Sequence, residues 1–115
     1  MRRGDIHLVD LEPVRGSEAN KRRPALIVSN DAANATADRL GRGVVTVIPI
    51  TSNVSHVYPF QAILPAAQVG LDHDSKAQAE QVRSISVERV GESLGTVPDE
   101  LMRDVDDALR LHLAL

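Results

Sequence analysis

Gly16-Ser17-Glu18-Ala19-Asn20-Lys21-Arg22-Arg23-Pro24 gathers a carboxylate, an amide and three consecutive cations that stop at a proline. Guanidinium groups bind phosphate oxygens in a two-pronged fork. A carboxylate beside them can accept a proton or brace a cation. Pro24 biases Arg23 away from helical angles toward an extended backbone. Ala25-Leu26-Ile27-Val28 follows as a β-rich apolar run, so a polar loop feeds a rigid strand with the cations at the joint. Loops positioned by a rigid scaffold commonly carry binding and catalysis. On charge alone, a solvated loop explains the same residues.

The distribution of charge keeps a polyanion in view. The chain has 115 residues and a net charge of −3. Residues 1–50 carry 8 Lys/Arg against 6 Asp/Glu, whereas residues 98–115 carry 2 against 5. The cations crowd into 15–23, and a local basic stripe on an acidic chain can bind a polyanion. The absence of cysteine removes disulfides and thiolate metal sites and suits a reducing cytosol. No segment approaches the roughly 18 unbroken apolar residues of a membrane span. Met1-Arg2-Arg3-Gly4-Asp5 leads into a strand rather than a long apolar core, which predicts no signal peptide.

The elements that must position the cations are mostly short strands. Ile6–Leu11 reads as the first, ended by Glu12-Pro13, and residues 12–23 as the loop. Pro24–Ser29 reads as a second strand, covered on both faces. Asn30-Asp31 offers an N-cap to a helical turn over 32–37. Val44–Ile50 is a third strand, which Pro49 should end, bulge or hold at an edge. A polar loop runs from Thr51-Ser52-Asn53 to Tyr58-Pro59. A short strand over 60–64 follows, then a turn region at 69–74. Lys76–Glu80 and Val82–Val87 read as one long or broken strand with the break near Gln81. Ser93–Val97 is a last short strand between Gly91 and Gly95. Pro98-Asp99-Glu100 opens an amphipathic helix whose stripe is Leu101, Val105, Ala108, Leu109 and His112, widened by Met102 and Leu113. The class is mainly β with minor α, a small β-barrel or half-open sheet carrying a C-terminal amphipathic helix, in one domain over 1–115.

Seven spaced pieces resemble the MazF/PemK (Kid) toxin family. They are Gly4-Asp5-Ile6, Val9-Asp10-Leu11-Glu12-Pro13, Gly16-Ser17-Glu18, Arg23-Pro24-Ala25, Val47-Ile48-Pro49-Ile50-Thr51-Ser52, Tyr58-Pro59-Phe60 and Gln81-Val82-Arg83-Ser84-Ile85. The resemblance implies an SH3-like β-barrel of the CcdB/MazF-like plasmid maintenance toxin fold. It also implies a cytoplasmic homodimer that cuts single-stranded RNA at short sequences, inhibiting translation and growth. No metal or other cofactor is expected, and the products would carry a 2′,3′-cyclic phosphate and a 5′-hydroxyl. The expected partner is an antitoxin whose disordered C-terminal segment covers the RNA groove.

By the same resemblance the catalytic arginine falls on Arg23 and the catalytic threonine on Thr51. Glu18 falls on a position tied to activity or RNA contact. Ser17, Asn20, Lys21, Arg22, Ser52, Gln81, Arg83 and Ser84 are candidate RNA contacts. Arg23 would stabilise the crowded phosphorane, and Thr51 would bond a non-bridging oxygen. The alternative for Arg23 is a loop-anchoring cation paired with Glu12 or Glu18. For Gln81, Arg83 and Ser84 it is the polar face of a strand.

The remaining polar groups read as structural. His7 and His112 are expected to pack, His56 to lie on the surface, and Asp72-His73-Asp74 to face water rather than hold a metal. One Tyr, one Phe and no Trp leave base stacking to Tyr58, Phe60 or arginine planes. Two rivals keep the barrel: a CcdB-like toxin directed at DNA gyrase, and a non-catalytic module binding RNA or antitoxin. The helix end Leu113-Ala114-Leu115, without tryptophan, argues against the first.

Overall fold

The computed structural model describes residues 1–12, 15–18 and 22–115. Its strands are β1 (Asp5–Asp10), β2 (Arg22–Ile27), β3 (Val44–Thr51), β4 (Gln61–Leu64), β5 (Ser75–Gln78), β6 (Arg83–Ser86) and β7 (Val90–Thr96). The helices are α1 (Asp31–Leu40), α2 (Ala66–Val69) and α3 (Asp99–Leu113). A 3-10 turn over Ala79–Gln81 separates β5 from β6, close to where the sequence predicts the break. All pairings are antiparallel, in the order β4-β5-β3-β2-β1-β7 with β6 also on β3. Pairing does not close from β7 to β4 among the described residues. The expected barrel is therefore a half-open sheet, since β4 pairs only with β5 and β7 only with β1.

Period-two alternation divides the interior into two cores. Ile6, Leu26, Ile48, Ile50 and Leu64 pack with Val105, Met102 and Ala108 of α3. Val9, Ala25, Ile27, Val45 and Val47 pack with Ile85 and with Ala37 of α1. β2 contributes to both, which explains its nearly unbroken apolar run. α1 begins where Asn30 Oδ1 accepts from Ala33 N at 2.8 Å. Buried Asn34 then anchors the helix, donating from Nδ2 to Ser29 O at 2.8 Å.

Several expectations are corrected. β2 starts at Arg22 rather than Pro24, because the β1 ladder continues through Val9–Arg23 and Asp10–Arg22. The predicted helical turn is a ten-residue helix, whose last residues, Asp38-Arg39-Leu40, are exposed. β3 neither ends nor lies at an edge at Pro49. Its Val44–Val47 half pairs with β6 and Ile50–Thr51 with β5, so the missing N–H falls where the strand changes partner. β7 begins at Val90 and runs through both glycines. His112 and Leu113 are exposed, because the last turn of α3 runs past the surface that its first turns cover. None of the described helices is long and apolar enough to cross a membrane.

Candidate active site

Arg23 and Thr51 come from different strands to one end of the sheet. The β2–β3 ladder reaches the pair Ala25–Pro49, and each residue stands two positions beyond it. Beyond that pair the two strands keep other partners, Arg23 facing Val9 of β1 and Thr51 facing Lys76 of β5. Both line a cleft of about 490 Å³. Arg22 and Pro24 accompany Arg23 on one wall, and Ile50 and Ser52 accompany Thr51. The opposite wall is the segment after α2, through Gly70, Leu71, Asp72, His73 and Ser75, with Leu94 from β7.

Thr51 is half-buried and held in place. Its backbone pairs with Lys76 of β5, and its Oγ1 accepts from Asn53 N at 3.2 Å. Arg22 reaches sideways across the sheet. A side chain built at Gly91 would meet its Nη2 at 3.6 Å and Leu8 O at 2.9 Å. Glycine at 91 thus lets β7 lie close against the β1 backbone, and the Arg22 guanidinium beside it stands between this cleft and a second, charged one that holds Asp10, Glu12, Glu88 and Arg89.

The Gly16–Glu18 turn stands apart from the cleft lining. Arg15 N donates to Glu18 Oε1 at 2.8 Å, and Glu18 N to Arg15 O at 3.2 Å, so the carboxylate closes its own turn. Gln81 Nε2 ties that turn down by donating to Ser17 O at 3.1 Å. Arg83 is half-buried and donates to Leu11 O at 3.4 Å. Arg89 binds the carbonyls of Asp10, at 3.3 Å, and Glu12. Two arginines therefore hold the end of β1 where the loop departs. Ser84 is exposed and faces Thr46 across the β3–β6 pair, with Oγ1 and Oγ 3.5 Å apart. Asn20 and Lys21 lie outside the described residues.

The cleft thus brings together Arg22, Arg23, Thr51 and Ser52 but not Glu18, Ser17, Gln81, Arg83 or Ser84 among its lining residues. Sequence reasoning missed the facing wall. Asp72 and His73 read as a water-facing turn, and both are exposed, yet they border the same cleft. The aligned glycines could have signalled this. Gly70 and Gly95 allow the two backbones to meet, for a Cβ at Gly95 would fall 2.1 Å from Val69 O. Asp74 is engaged elsewhere, accepting from Ala66 N at 2.9 Å. Among the described residues no three His, Cys, Asp or Glu side chains converge as metal ligands. His7 bonds Gly91 O through Nδ1 at 3.0 Å.

Comparison with known proteins gives one consistent result. A family described as "PemK-like, MazF-like toxin of type II toxin-antitoxin system" matches residues 2–113. Endoribonuclease MazF9 of Mycobacterium tuberculosis is 60% identical over 115 residues, covering 100% of this chain and 98% of that protein. A crystal structure of MazF from Deinococcus radiodurans superposes with a TM-score of 0.81 at 27% identity, covering 100% and 97% of the two chains. A MazE–MazF crystal structure from the same organism gives 0.74 at 26%, covering 100% and 96%.

Proposed function

The chain belongs to the family of PemK-like, MazF-like toxins of type II toxin–antitoxin systems, and from that premise we propose that it is the endoribonuclease toxin of its pair. Its substrate is single-stranded RNA, cut at the Arg23–Thr51 cleft by attack of a 2′-hydroxyl on the adjacent phosphodiester. The new bond joins O2′ to phosphorus and the P–O5′ bond breaks. The products are a 2′,3′-cyclic phosphate and a 5′-hydroxyl.

The observation that carries this reading is the convergence of Arg23 and Thr51 on one cleft from two strands. Charge builds on the non-bridging oxygens during the attack. A preorganised guanidinium and hydroxyl aimed at those oxygens stabilise that charge without a metal. Arg22 and Ser52 line the same cleft and contact the RNA backbone beside it. The turn held by Glu18 and Gln81 presents Ser17 to the RNA, while Arg83 fixes the root of the loop.

Residues 1–115 act as one toxin domain in the cytoplasm, and two copies form a homodimer. Large apolar side chains left exposed in a single copy favour that assembly, among them Leu111, Leu113 and Leu115. The protein partner is a cognate antitoxin, by likeness to the MazF solved with MazE.

Purified protein incubated in EDTA with mixed-sequence single-stranded RNA tests the reading. Cuts at one short sequence, with cyclic phosphate at the 3′ ends, are expected. A folded protein that binds RNA but leaves it intact would transfer the cleft to a non-catalytic module.

A further inference from the structure

The only tyrosine and the only phenylalanine of the chain stand two residues apart in the loop that leaves Thr51. The Tyr58 and Phe60 rings are nearly parallel, 6° apart, with centroids separated by 5.2 Å. The His56 ring adds a third member, 4.1 Å from Tyr58 at 47°. Tyr58 is nonetheless 46% exposed. A chain with so few aromatic rings gains most by burying them. This one leaves its largest on the surface.

The loop that carries them is fixed at several points. Tyr58 N donates to Gln61 Oε1 at 3.1 Å, and Gln61 N returns a bond to Tyr58 O at 2.9 Å. Gln61 Nε2 donates to Glu80 Oε2 at 2.7 Å. Lys76 is buried, donates to His56 O at 2.5 Å and stands 5.9 Å from the Tyr58 ring centroid. Lys76 is also the β5 residue paired with Thr51. One lysine therefore joins the aromatic loop to the strand position that carries the proposed catalytic hydroxyl.

We propose that Tyr58, flanked by His56 and Phe60, is a preorganised stacking platform for an unpaired RNA base next to the scissile phosphate. This rests on the reading of the Arg23–Thr51 cleft as the cleavage site. Every nucleobase has a π-face, so such a platform binds single strands without demanding one base. It also excludes duplex RNA, whose bases are already stacked on one another. Because the hydrogen bonds already fix the loop, little ordering accompanies binding. The platform would orient the nucleotide so that its backbone crosses the cleft, coupling recognition to cleavage.

With no tryptophan and one tyrosine in the chain, protein tyrosine emission reports Tyr58 alone. The experiment titrates wild-type protein with a single-stranded RNA blocked by 2′-O-methylation at the attacking nucleotide, following this emission and the anisotropy of a labelled end. If no cutting is found, unmodified RNA serves. Quenching should accompany binding. An abasic linker at one position flanking the cut should restore emission, and linkers further away should not. Tyr58→Ala should bind roughly 5- to 100-fold more weakly, with Tyr58→Phe close to wild type. Binding without quenching, equal affinity of Tyr58→Ala, or no RNA binding would overturn the platform. Quenching by RNA that is never cut would keep the platform and reject the nuclease reading.

Discussion

Arg23 and Thr51 are 28 positions apart in the chain and line one cleft, each two residues past the Ala25–Pro49 pair. The arrangement costs little because both strands lie in the middle of the sheet, with β1 on one side and β5 and β6, each paired to β3, on the other. Their ends inherit that rigidity. A guanidinium and a hydroxyl fixed in this way need little reorganisation when charge appears on a phosphate between them.

The far wall of the cleft depends on a glycine. An added methyl at Gly95 would collide with backbone, 2.1 Å from Val69 O and 3.2 Å from Val69 C. Gly95→Ala should therefore lower stability by about 1–3 kcal/mol or more, measured by urea unfolding. Because Gly70 to Ser75 move with that contact, KM for RNA should also rise.

The root of the polar loop gives a second test. Arg89 holds the carbonyls of Asp10 and Glu12, where β1 releases the chain. Arg89→Met keeps the aliphatic stem and removes both charged hydrogen bonds. A stability loss of about 1–3 kcal/mol is expected, and KM should change more than kcat if the loop positions RNA. Unchanged unfolding and kinetics would remove Arg89 from that role.

Acid stability should depend on Asp31, the first residue of α1. The Arg3 backbone N–H, 2.7 Å from Oδ1, holds this carboxyl below its ordinary value of 3.8. Burial opposes that pull, while the Arg2 guanidinium and Asn34 add to it. The native state thus binds this proton less readily than the unfolded chain, so the stabilisation is present above 3.8 and lost as pH falls through the depressed value. Asp31→Asn should melt below wild type at neutral pH, with the gap closing under acid conditions. A gap independent of pH would place its cause elsewhere.

Much of this fold is legible in residue pattern alone. The apolar stretch of β1 bounded by Gly4-Asp5 and Glu12-Pro13, the continuous run of β2 and the acid-led start of α3 are local signals, and they position both cores. The site is less legible because its geometry is non-local. Nothing in the neighbourhood of Thr51 marks it. It becomes a candidate only through its register in a family pattern, and its nearness to Arg23 follows from strand pairing. The start of β2 was hidden because Arg22 and Arg23 look like loop residues until β1 supplies their partners. Pro49 misled for a similar reason, since a strand that changes neighbours has room for a residue without an N–H. Asp72 and His73 became part of the cleft through the Gly70–Gly95 contact, which has no signature beyond the glycines themselves.

The central claim, that Arg23 and Thr51 act on one phosphate, is tested most directly by single-turnover RNA cleavage with Arg23→Ala, Thr51→Ala and the double variant, each shown to be folded. Each single change should slow the chemical step by about 100- to 1,000-fold, as removal of one oxyanion donor does. The double variant should lose far less than the product of the two, because groups serving one transition state are not additive. Rates that multiply, or a single variant as fast as wild type, would contradict the shared site.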